Sequence, residues 1–336
     1  MVRWFFVTIC VGCLAVPAAG AALDGAEINK AELSTQPNAK KTTARNKIDP
    51  MVIKAEVLLA RAGFSPGEID GMLGENAQKA LQAFAESKGL LSDRPLTPEI
   101  WKVLTGTNSE PIVIDYTISE KDVKGPFLKK LPAKMDDMKR LQALSYTSAR
   151  EAIAEKFHMS EQLLSALNPG KKFDQAGQTI SVVNAPDRSE LAIERIEVDK
   201  SRQTVKAFDA SGTLIAFFPA TIGSEEKPTP SGALKVVSVH ANPTYRYNPD
   251  YKFKGVKSRI PFTIAPGPNN PVGSFWIGLS AEGYGIHGTS NPSKVSKSES
   301  HGCIRLTNWD VRALGENVKK GTPVVFVGDP QQASKS

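Results

Sequence analysis

Cysteine is scarce in this sequence, and its scarcity limits the chemistry that the chain can carry. Three cysteines occur in 336 residues, at positions 10, 13 and 303. We expect the first two to leave with an N-terminal leader, so Cys303 would be the sole thiol of the mature chain and an intramolecular disulfide is excluded. A zinc site at Cys303, His287 and His301 is disfavoured because a fourth ligand and the usual Cys/His spacing are missing. The remaining choice lies between an inert buried thiol and a reactive one.

Long apolar runs are also missing after the first 22 residues. The N-terminus reads Met1-Val2-Arg3, then an apolar run from Trp4 to Val16, then small residues that end at Ala22. This order predicts a secretory signal peptide over 1–21. A permanent anchor helix and a lipid-modified Cys13 are the alternatives, but the run is short for a membrane span. We therefore expect export across the inner membrane to the periplasm or cell wall, with no transmembrane anchor in the mature chain.

The charge of the chain points to anionic surroundings. The formal net charge is +7. Loss of Arg3 with the leader leaves about +6, which would draw an exported protein to the cell wall or to lipid headgroups. Nucleic acid is not the expected partner, because no basic stripe interleaved with aromatic residues is present.

Three segments are predicted to lack a fold of their own. Residues 22–48 are rich in Lys, Thr, Asn, Ala and Gln and poor in bulky apolar side chains, which predicts a flexible linker. Residues 106–142 contain interspersed prolines and glycines, which predicts a second linker. Residues 329–336 form a short C-terminal tail.

Residues 49–105 are predicted to form a small helical bundle. Asp49-Pro50 starts the first helix, and apolar residues at helical spacing predict three helices in all. The segments Gly63-Phe64-Ser65-Pro66-Gly67 and Ile69-Asp70-Gly71, with a terminal Trp101-x-x-Leu104, resemble the peptidoglycan-binding domain type 1 family. A generic three-helix packing module is the alternative.

Residues 143–185 are predicted to form a strand–helix–helix–strand unit. A strand is expected from Leu144, then two capped helices, then a closing strand over 179–183. With "LNPG" after the second helix and "GQTI" at the last strand, the unit resembles a LysM domain, a family that binds N-acetylglucosamine-containing glycans. It carries Ser148-Ala149-Arg150 where the family has Gly-Asp-Thr, and a spacer role is the alternative.

Residues 190–328 alternate between apolar and polar positions with short turns, which predicts a mainly β sandwich or barrel-like domain. One helix is expected near 308–319, with Thr307 as its cap. Six prolines between 243 and 271 predict a long loop that could wall or cover a site. The expected fold class of the whole chain is therefore multidomain α+β, with a helical bundle, a βααβ unit and this β domain.

The residues that can carry chemistry gather around Cys303, beside Ser300, His301 and Arg305. A thiol attacks a carbonyl as the thiolate, and a histidine within hydrogen-bond reach can take its proton. Both His287 and His301 are candidates. His301 lies two residues before Cys303, so on an extended strand the two would point to the same side, whereas His287 must arrive from an adjacent strand.

The neighbouring residues suit the same chemistry. Gly302 leaves room for its own amide and that of Cys303 to approach a developing oxyanion. Arg305 has a planar fork suited to a carboxylate, and Ser300 can orient a histidine or the substrate. Each residue alone has an ordinary alternative: a bulge, a surface charge or a structural histidine. Their concentration around one cysteine favours a catalytic site.

Two segments here match a known pattern. His287-Gly288-Thr289 and the run from Ser300 to Leu306, with sixteen residues from His287 to Cys303, resemble the L,D-transpeptidase catalytic (YkuD-type) family over roughly 191–328. The resemblance implies that Cys303 is the nucleophile, that His287 is the general base and proton donor, and that the Gly288 carbonyl orients this base. It places Arg305 on the arginine of the motif and Ser300 and His301 among the residues that support the cysteine. Papain-like and NlpC/P60-type hydrolases have the opposite order, with cysteine before histidine.

The resemblance also implies a reaction. Cys303 would attack the carbonyl of the third stem residue, usually meso-diaminopimelate, of a peptidoglycan tetrapeptide, and D-alanine would leave. An amine of a neighbouring stem or of a wall protein would resolve the thioester and give a 3–3 cross-link or a protein attachment. The implied partners are stem peptides and glycan, and a wall-attached protein as a possible acceptor. No metal or organic cofactor is implied, and carbapenems are expected to acylate the cysteine.

Two other functions remain open from the sequence. An L,D-carboxypeptidase or a D-amino-acid exchange enzyme would use the same residues with water or a D-amino acid as acceptor, because pocket and loop shape select the acceptor. A non-catalytic wall-binding protein would use the two N-terminal modules and keep the β domain as a passive unit.

Overall fold

The computed structural model describes residues 23–33, 47–90, 94–186, 190–223, 229–251, 256–297 and 302–328. The predicted signal peptide and C-terminal tail lie outside these ranges, as do Ser300 and His301. None of the helices within these ranges is long and apolar enough to cross a membrane.

The described segments contain both helices and strands in the following order. The helices are α1 (Gly25–Lys30), α2 (Pro50–Ala62), α3 (Glu75–Ser87), α4 (Pro98–Thr105), α5 (Glu120–Val123), α6 (Met135–Met138), α7 (Ala149–Lys156), α8 (Glu161–Leu167) and α9 (Asn308–Gly315). The strands are β1 (Val113–Thr117), β2 (Thr179–Val183), β3 (Arg195–Asp199), β4 (Thr204–Phe208), β5 (Leu214–Pro219), β6 (Gly232–Ala241), β7 (Tyr245–Tyr247), β8 (Phe262–Ile264), β9 (Phe275–Leu279), β10 (Gly285–His287), β11 (Ile304–Arg305) and β12 (Pro323–Val327).

Helices α2, α3 and α4 occupy the region predicted to be a helical bundle, and the local sequence explains their ends. The Asp49 side chain caps α2 by accepting a hydrogen bond from the Met51 N–H, and Pro50 takes the first helical position. Gly63 ends α2 in a left-handed conformation with φ of 104°. Thr97 caps α4 through its hydroxyl. These contacts join residues close in sequence, so the pattern could predict them.

A buried carboxyl group, Glu56, ties α2 to the turn after it. Its side chain is 1% exposed and accepts from the N–H groups of Gly71 at 2.8 Å and Asp70 at 3.2 Å. Burial, and then the charge of Asp70, raise the pKa of Glu56 well above its ordinary value. Ionisation of Glu56 therefore costs more free energy in the folded chain than in the unfolded one.

We expect Glu56→Gln to gain stability relative to the wild type as the pH rises. The amide keeps an acceptor for the two N–H groups and a donor for Asp70, but it cannot ionise. A carboxyl with a raised folded pKa contributes stability below its unfolded pKa and loses it as the pH rises through the folded value. Urea unfolding at about pH 4.5 and about pH 8 measures the difference. Glu75→Gln, at an exposed residue, is the matched control, and a pH-independent difference at Glu56 would contradict the expectation.

The prediction of a flexible linker over 22–48 is wrong at its N-terminal end, where α1 packs against α2. Ile28 of α1 is fully buried. The Asn29 side chain accepts from the N–H groups of Ile112 at 2.6 Å and Val113 at 2.9 Å and donates to the Val113 carbonyl at 3.1 Å. One isoleucine and one asparagine are too sparse to show as an apolar pattern, yet they fasten this segment to β1.

The βααβ unit is present, but its first strand is not the one expected from Leu144. β1 pairs antiparallel with β2, from Val113 opposite Val183 to Thr117 opposite Thr179. The unit therefore begins inside 106–142, which was predicted to be a linker, and the chain with α5 and α6 is an insertion before α7. Leu144 is instead buried in a loop.

The backbone of Leu144 explains this error. Its N–H donates to the Pro266 carbonyl and its carbonyl accepts from the Asn269 N–H, both at 2.9 Å. Pro266 and Asn269 belong to the C-terminal region, so the extended segment at Leu144 bonds there rather than to β2. The β-branched and aromatic residues of β1 favour a strand. The glycines and prolines that follow them made the whole of 106–142 look like a linker.

The segments predicted as separate modules share one hydrophobic core. Its buried side chains come from α1 to α4, β1, α7, α8 and β2, and Phe217 of β5 joins them. Phe64 forms a β-bridge with Phe217, in which Ser65 N–H donates to the Phe217 carbonyl at 2.9 Å and Phe217 N–H to the Gly63 carbonyl at 2.8 Å. The N-terminal half is thus packed on the edge strand of the C-terminal sheet and covers that edge.

In the described part of the C-terminal region, an eight-stranded mixed sheet runs in the order β11-β10-β9-β6-β12-β3-β4-β5. β3 and β12, and β10 and β11, are parallel, and the other neighbours are antiparallel. Register shifts in β6, between Val236 and Ser238, and in β4, between Ala207 and Phe208, help the sheet to curl into a half-barrel. The predicted α+β class, with helices ahead of a mainly β domain, is confirmed.

Helix α9 packs against β6, β9 and β10. Thr307 caps it, as predicted, but it ends at Gly315, earlier than the expected 319. The proline-rich segment 243–271, predicted to be a loop, contains the antiparallel pair β7–β8. Helix α9 therefore lies directly behind the strands that carry the predicted catalytic residues.

Candidate active site

Two neighbouring strands bring the predicted catalytic residues together. β10 ends at His287, β11 begins one residue after Cys303, and the two pair in parallel with His287 opposite Arg305. Residues opposite each other in a sheet, and residues two apart along a strand, project to the same face. His287 and Arg305 therefore share one face of this strand pair, and Cys303 directly precedes β11 and acts electrostatically on Arg305.

The ring of His287 is held in one orientation. It is buried, and its Nδ1 lies 2.7 Å from the Gly288 carbonyl oxygen. A carbonyl only accepts hydrogen bonds, so Nδ1 carries the proton and Nε2 presents a lone pair. The Trp276 indole stacks on the ring, with centroids 5.7 Å apart and planes at 16°. The tautomer and the stacking leave Nε2 as the atom that can take a proton.

The surroundings keep His287 neutral. Burial lowers its pKa to about 3, the Arg305 charge acts in the same direction, and the hydrogen bond to Gly288 opposes both. The ring is therefore ready to accept a proton at neutral pH. Because it is a weak base by itself, its protonated form requires a nearby anion, and a thiolate would supply one.

Cys303 is half-buried, and its Sγ lies 3.6 Å from the Gly283 carbonyl oxygen. The preceding Gly302 is buried and has φ of 97°, in the region that favours glycine. The Gly302 carbonyl accepts from the Thr229 hydroxyl at 3.0 Å, and that hydroxyl accepts from the Gly223 N–H at 2.9 Å. A second loop therefore fixes the turn that presents the thiol.

Arg305 places a partly buried cation near the thiol. The Arg305 N–H donates to the Thr221 carbonyl, and the Thr221 N–H donates to the Arg305 carbonyl, both at 2.9 Å. Burial lowers the pKa of Arg305, and Cys303 acts in the opposite direction. Its Nε is buried with no hydrogen-bond partner among the residues that the structure describes. A buried donor of this kind is unusual, so the site is suited to an anionic group, either the thiolate or a substrate carboxylate.

Asn308, the first residue of α9, was missed by sequence reasoning. Its Oδ1 accepts from the Ser274 N–H at 3.0 Å. A Cβ at Gly288 would lie 2.2 Å from this oxygen, and one at Gly273 would lie 2.1 Å from it. The Asn308 amide therefore packs directly against the peptide that holds the His287 ring. The only sequence signal was a short polar residue next to the Thr307 cap, which is ordinary at a helix start.

The structure thus brings together five of the predicted residues, His287, Gly288, Gly302, Cys303 and Arg305. Ser300 and His301 lie outside the described residues, so their roles remain predictions. Within the described ranges, no group of three or more His, Cys, Asp or Glu side chains is arranged to hold a metal ion.

A cavity of about 810 Å³ lies behind the strand pair, between the N-terminal half and α9. Its walls include Glu155, Ser274 and Asn308 but neither Cys303 nor His287. The Trp309 indole stacks on His158 at its edge, with ring centroids 5.1 Å apart. The cavity is therefore separate from the sulfur, and Asn308 lies between its wall and the Gly288 peptide.

A comparison with protein families and with curated proteins identifies similar chains. A family model described as the L,D-transpeptidase catalytic domain matches residues 193–326. The putative L,D-transpeptidase YkuD of Bacillus licheniformis is 32% identical over 178 residues, which cover 52% of this chain and 90% of the relative. The probable L,D-transpeptidase YbiS of Escherichia coli is 28% identical over 56% of this chain and 63% of that protein.

Solved structures give weaker matches. L,D-transpeptidase 3 from Mycobacterium tuberculosis is 18% identical, with a TM-score of 0.33 over 45% of this chain and 75% of that chain. The catalytic domain of the Enterococcus faecium L,D-transpeptidase is 24% identical, with a TM-score of 0.32 over 41% of this chain and 99% of that chain. The matched part of the present chain thus lies mainly in its C-terminal half.

Proposed function

Because the chain belongs to the YkuD family of L,D-transpeptidases and is an enzyme of this class, we propose that it acts on peptidoglycan stem peptides with Cys303 as nucleophile and His287 as general base. The observation that carries the proposal is the parallel pairing of β10 and β11. It sets His287 beside Arg305, two residues after Cys303, while the Gly288 carbonyl lies 2.7 Å from Nδ1 of the ring.

The first half-reaction forms an acyl-enzyme. Nε2 of His287 takes the proton of the Cys303 thiol, and the sulfur attacks the carbonyl of the third stem residue, diaminopimelate. The amides of Gly302 and Cys303 receive the negative oxygen of the tetrahedral intermediate. His287 then gives its proton to the leaving nitrogen, D-alanine departs, and a thioester remains.

The second half-reaction transfers the acyl group. An amine of a neighbouring stem, or of a wall-attached protein, attacks the thioester while His287 accepts a proton from it. The new amide gives a 3–3 cross-link or a protein attachment, and the sulfur leaves as a thiolate. Water or a D-amino acid in place of the amine would give carboxypeptidase or exchange products. Family membership supports an enzyme and argues against the passive wall-binding alternative.

The charges around the sulfur support this scheme. Burial disfavours a lone imidazolium at His287, whose pKa is about 3. Proton transfer creates both charges at once, near the partly buried Arg305. Each charge then stabilises the other, and Arg305 adds to the stabilisation of the thiolate.

The N-terminal half has a supporting part in the proposal. The leader over 1–21 would export the chain to the periplasm, and the helical bundle and βααβ unit would hold the enzyme on the wall. Their resemblance to peptidoglycan-binding and LysM domains and the basic net charge support this role.

Muropeptides that contain a tetrapeptide stem test the proposal directly. Incubation with the protein should give cross-linked dimers and free D-alanine, and meropenem should leave a covalent adduct on the Cys303 peptide in mass spectra. Tripeptide and D-alanine without dimers would show water as the acceptor. Neither product nor adduct at high drug concentration would contradict the proposal.

A further inference from the structure

A carboxyl group from the βααβ unit reaches the helix behind the proposed active site. The two carboxylate oxygens of Glu155, on α7, lie 3.1 and 3.0 Å from the side-chain nitrogen of Asn308 on α9. The Tyr146 hydroxyl donates to the same carboxylate at 2.8 Å. Glu155 lies outside residues 193–326, so the family match does not extend to it.

Asn308 in turn packs against the peptide that orients the proposed base. Its Oδ1 accepts from the Ser274 N–H at 3.0 Å and leaves no room for a Cβ at Gly288. The Gly288 carbonyl holds Nδ1 of His287 at 2.7 Å. A displacement of the Asn308 amide would therefore move Gly288 and turn the ring of His287.

Glu155 is one of the groups that determine which way the Asn308 amide points. The side-chain nitrogen of Asn308 donates to Glu155 and to the Pro268 carbonyl at 3.1 Å. Both partners are acceptors when Glu155 is ionised, so a flipped amide would then set oxygen against oxygen. Hydrogen bonds to a charged acceptor are roughly twice as strong as neutral ones, which makes Glu155 the stronger of the two partners when ionised.

We propose that Glu155 is a positioning residue: from outside the catalytic region it holds Asn308, and through Asn308 the Gly288 carbonyl and the imidazole of His287. The inference rests on the proposed function, because it requires His287 to act on Cys303. The simpler alternative is that the contact only fastens α7 to α9. Positioning predicts altered thiol reactivity in a folded protein, whereas fastening predicts a loss of stability alone.

The test measures alkylation of Cys303 by iodoacetamide across a pH series in the full chain, quantified on the Cys303 peptide by mass spectrometry. Glu155→Leu should slow alkylation at neutral pH by about 10- to 100-fold and move the apparent pKa of the thiol upward, because small displacements of a catalytic group have effects of this size. Glu155→Gln should lie between this variant and the wild type. It keeps the shape and one acceptor, but its NH₂ replaces the other acceptor that faces Asn308.

Ser148→Ala is the matched control, since Ser148 caps the same helix through the Glu151 N–H and has no contact with Asn308. It should lower Tm and leave the pH profile of alkylation unchanged. A folded Glu155→Gln or Glu155→Leu protein with the wild-type profile would overturn the inference, and Glu155→Gln decides if Glu155→Leu does not fold.

His287→Asn separates this inference from the proposed function. If His287→Asn leaves the profile of Cys303 unchanged, the proposed base is wrong and the inference falls with it. If His287→Asn changes the profile while both Glu155 variants keep it, the base stands and only the positioning role is overturned.

Discussion

A Cys303→Ser protein should form no cross-linked muropeptide and should release D-alanine at least about 10,000-fold more slowly than the wild type. The hydroxyl is nearly isosteric with the thiol, but its proton is far harder to remove. With a pKa of about 3, His287 is too weak a base to remove it without a readily formed anion. Chromatography of the muropeptide products and an assay of free D-alanine measure the loss.

Stem binding and folding provide the controls for this variant. The sulfur is 3.6 Å from the Gly283 carbonyl, a contact that a hydroxyl can replace. We therefore expect Tm to change little and the tetrapeptide to bind with the wild-type Kd in calorimetry. A Cys303→Ser protein that still cross-links stems within about tenfold of the wild-type rate would remove Cys303 as the nucleophile.

His287→Asn should lower the rate of D-alanine release by about 100- to 10,000-fold, the usual range for loss of a general base. The asparagine amide lies near the position of Nδ1 and can still donate to the Gly288 carbonyl, so the orienting contact survives while Nε2 is lost. His287→Gln is the counterpart, because its longer amide extends towards the position of Nε2 and gives up the Gly288 contact. Neither can accept the proton, so kcat should fall in both.

The same substitution should change how stability depends on pH. A histidine whose folded pKa is depressed to about 3 contributes stability that is present above about pH 6.5 and is lost as the pH falls towards the folded value. His287→Asn does not titrate, so it should gain stability relative to the wild type over this interval. Denaturant unfolding at several pH values checks this, and full activity in either His287 variant would rule out its role as base.

The residues of the candidate site could be predicted because they lie in two short segments and because thiol and imidazole groups have distinctive chemistry. The caps at Asp49, Thr97 and Thr307 could be predicted as well, since a cap joins residues only two or three positions apart. In each case the sequence within a few positions contains the cause of the structure.

The remainder depends on residues that are far apart in the chain. β1 becomes a strand because β2 pairs with it across a long insertion, and the extended segment at Leu144 bonds to Pro266 instead. Glu155 and Asn308 are 153 positions apart. Without the fold, Glu155 is an ordinary helical glutamate and Asn308 an ordinary residue at a helix start.

The bridge between Phe64 and Phe217 fixes where the N-terminal helices lie relative to the sheet that carries the proposed active site. The N-terminal helices are packed on the edge of the sheet through this bridge rather than joined to it by a free tether. The distance from those helices to Cys303 is therefore set by the fold. If the helices bind the wall and Cys303 attacks a stem, as proposed, the dimensions of the protein would set the interval between the bonds it makes.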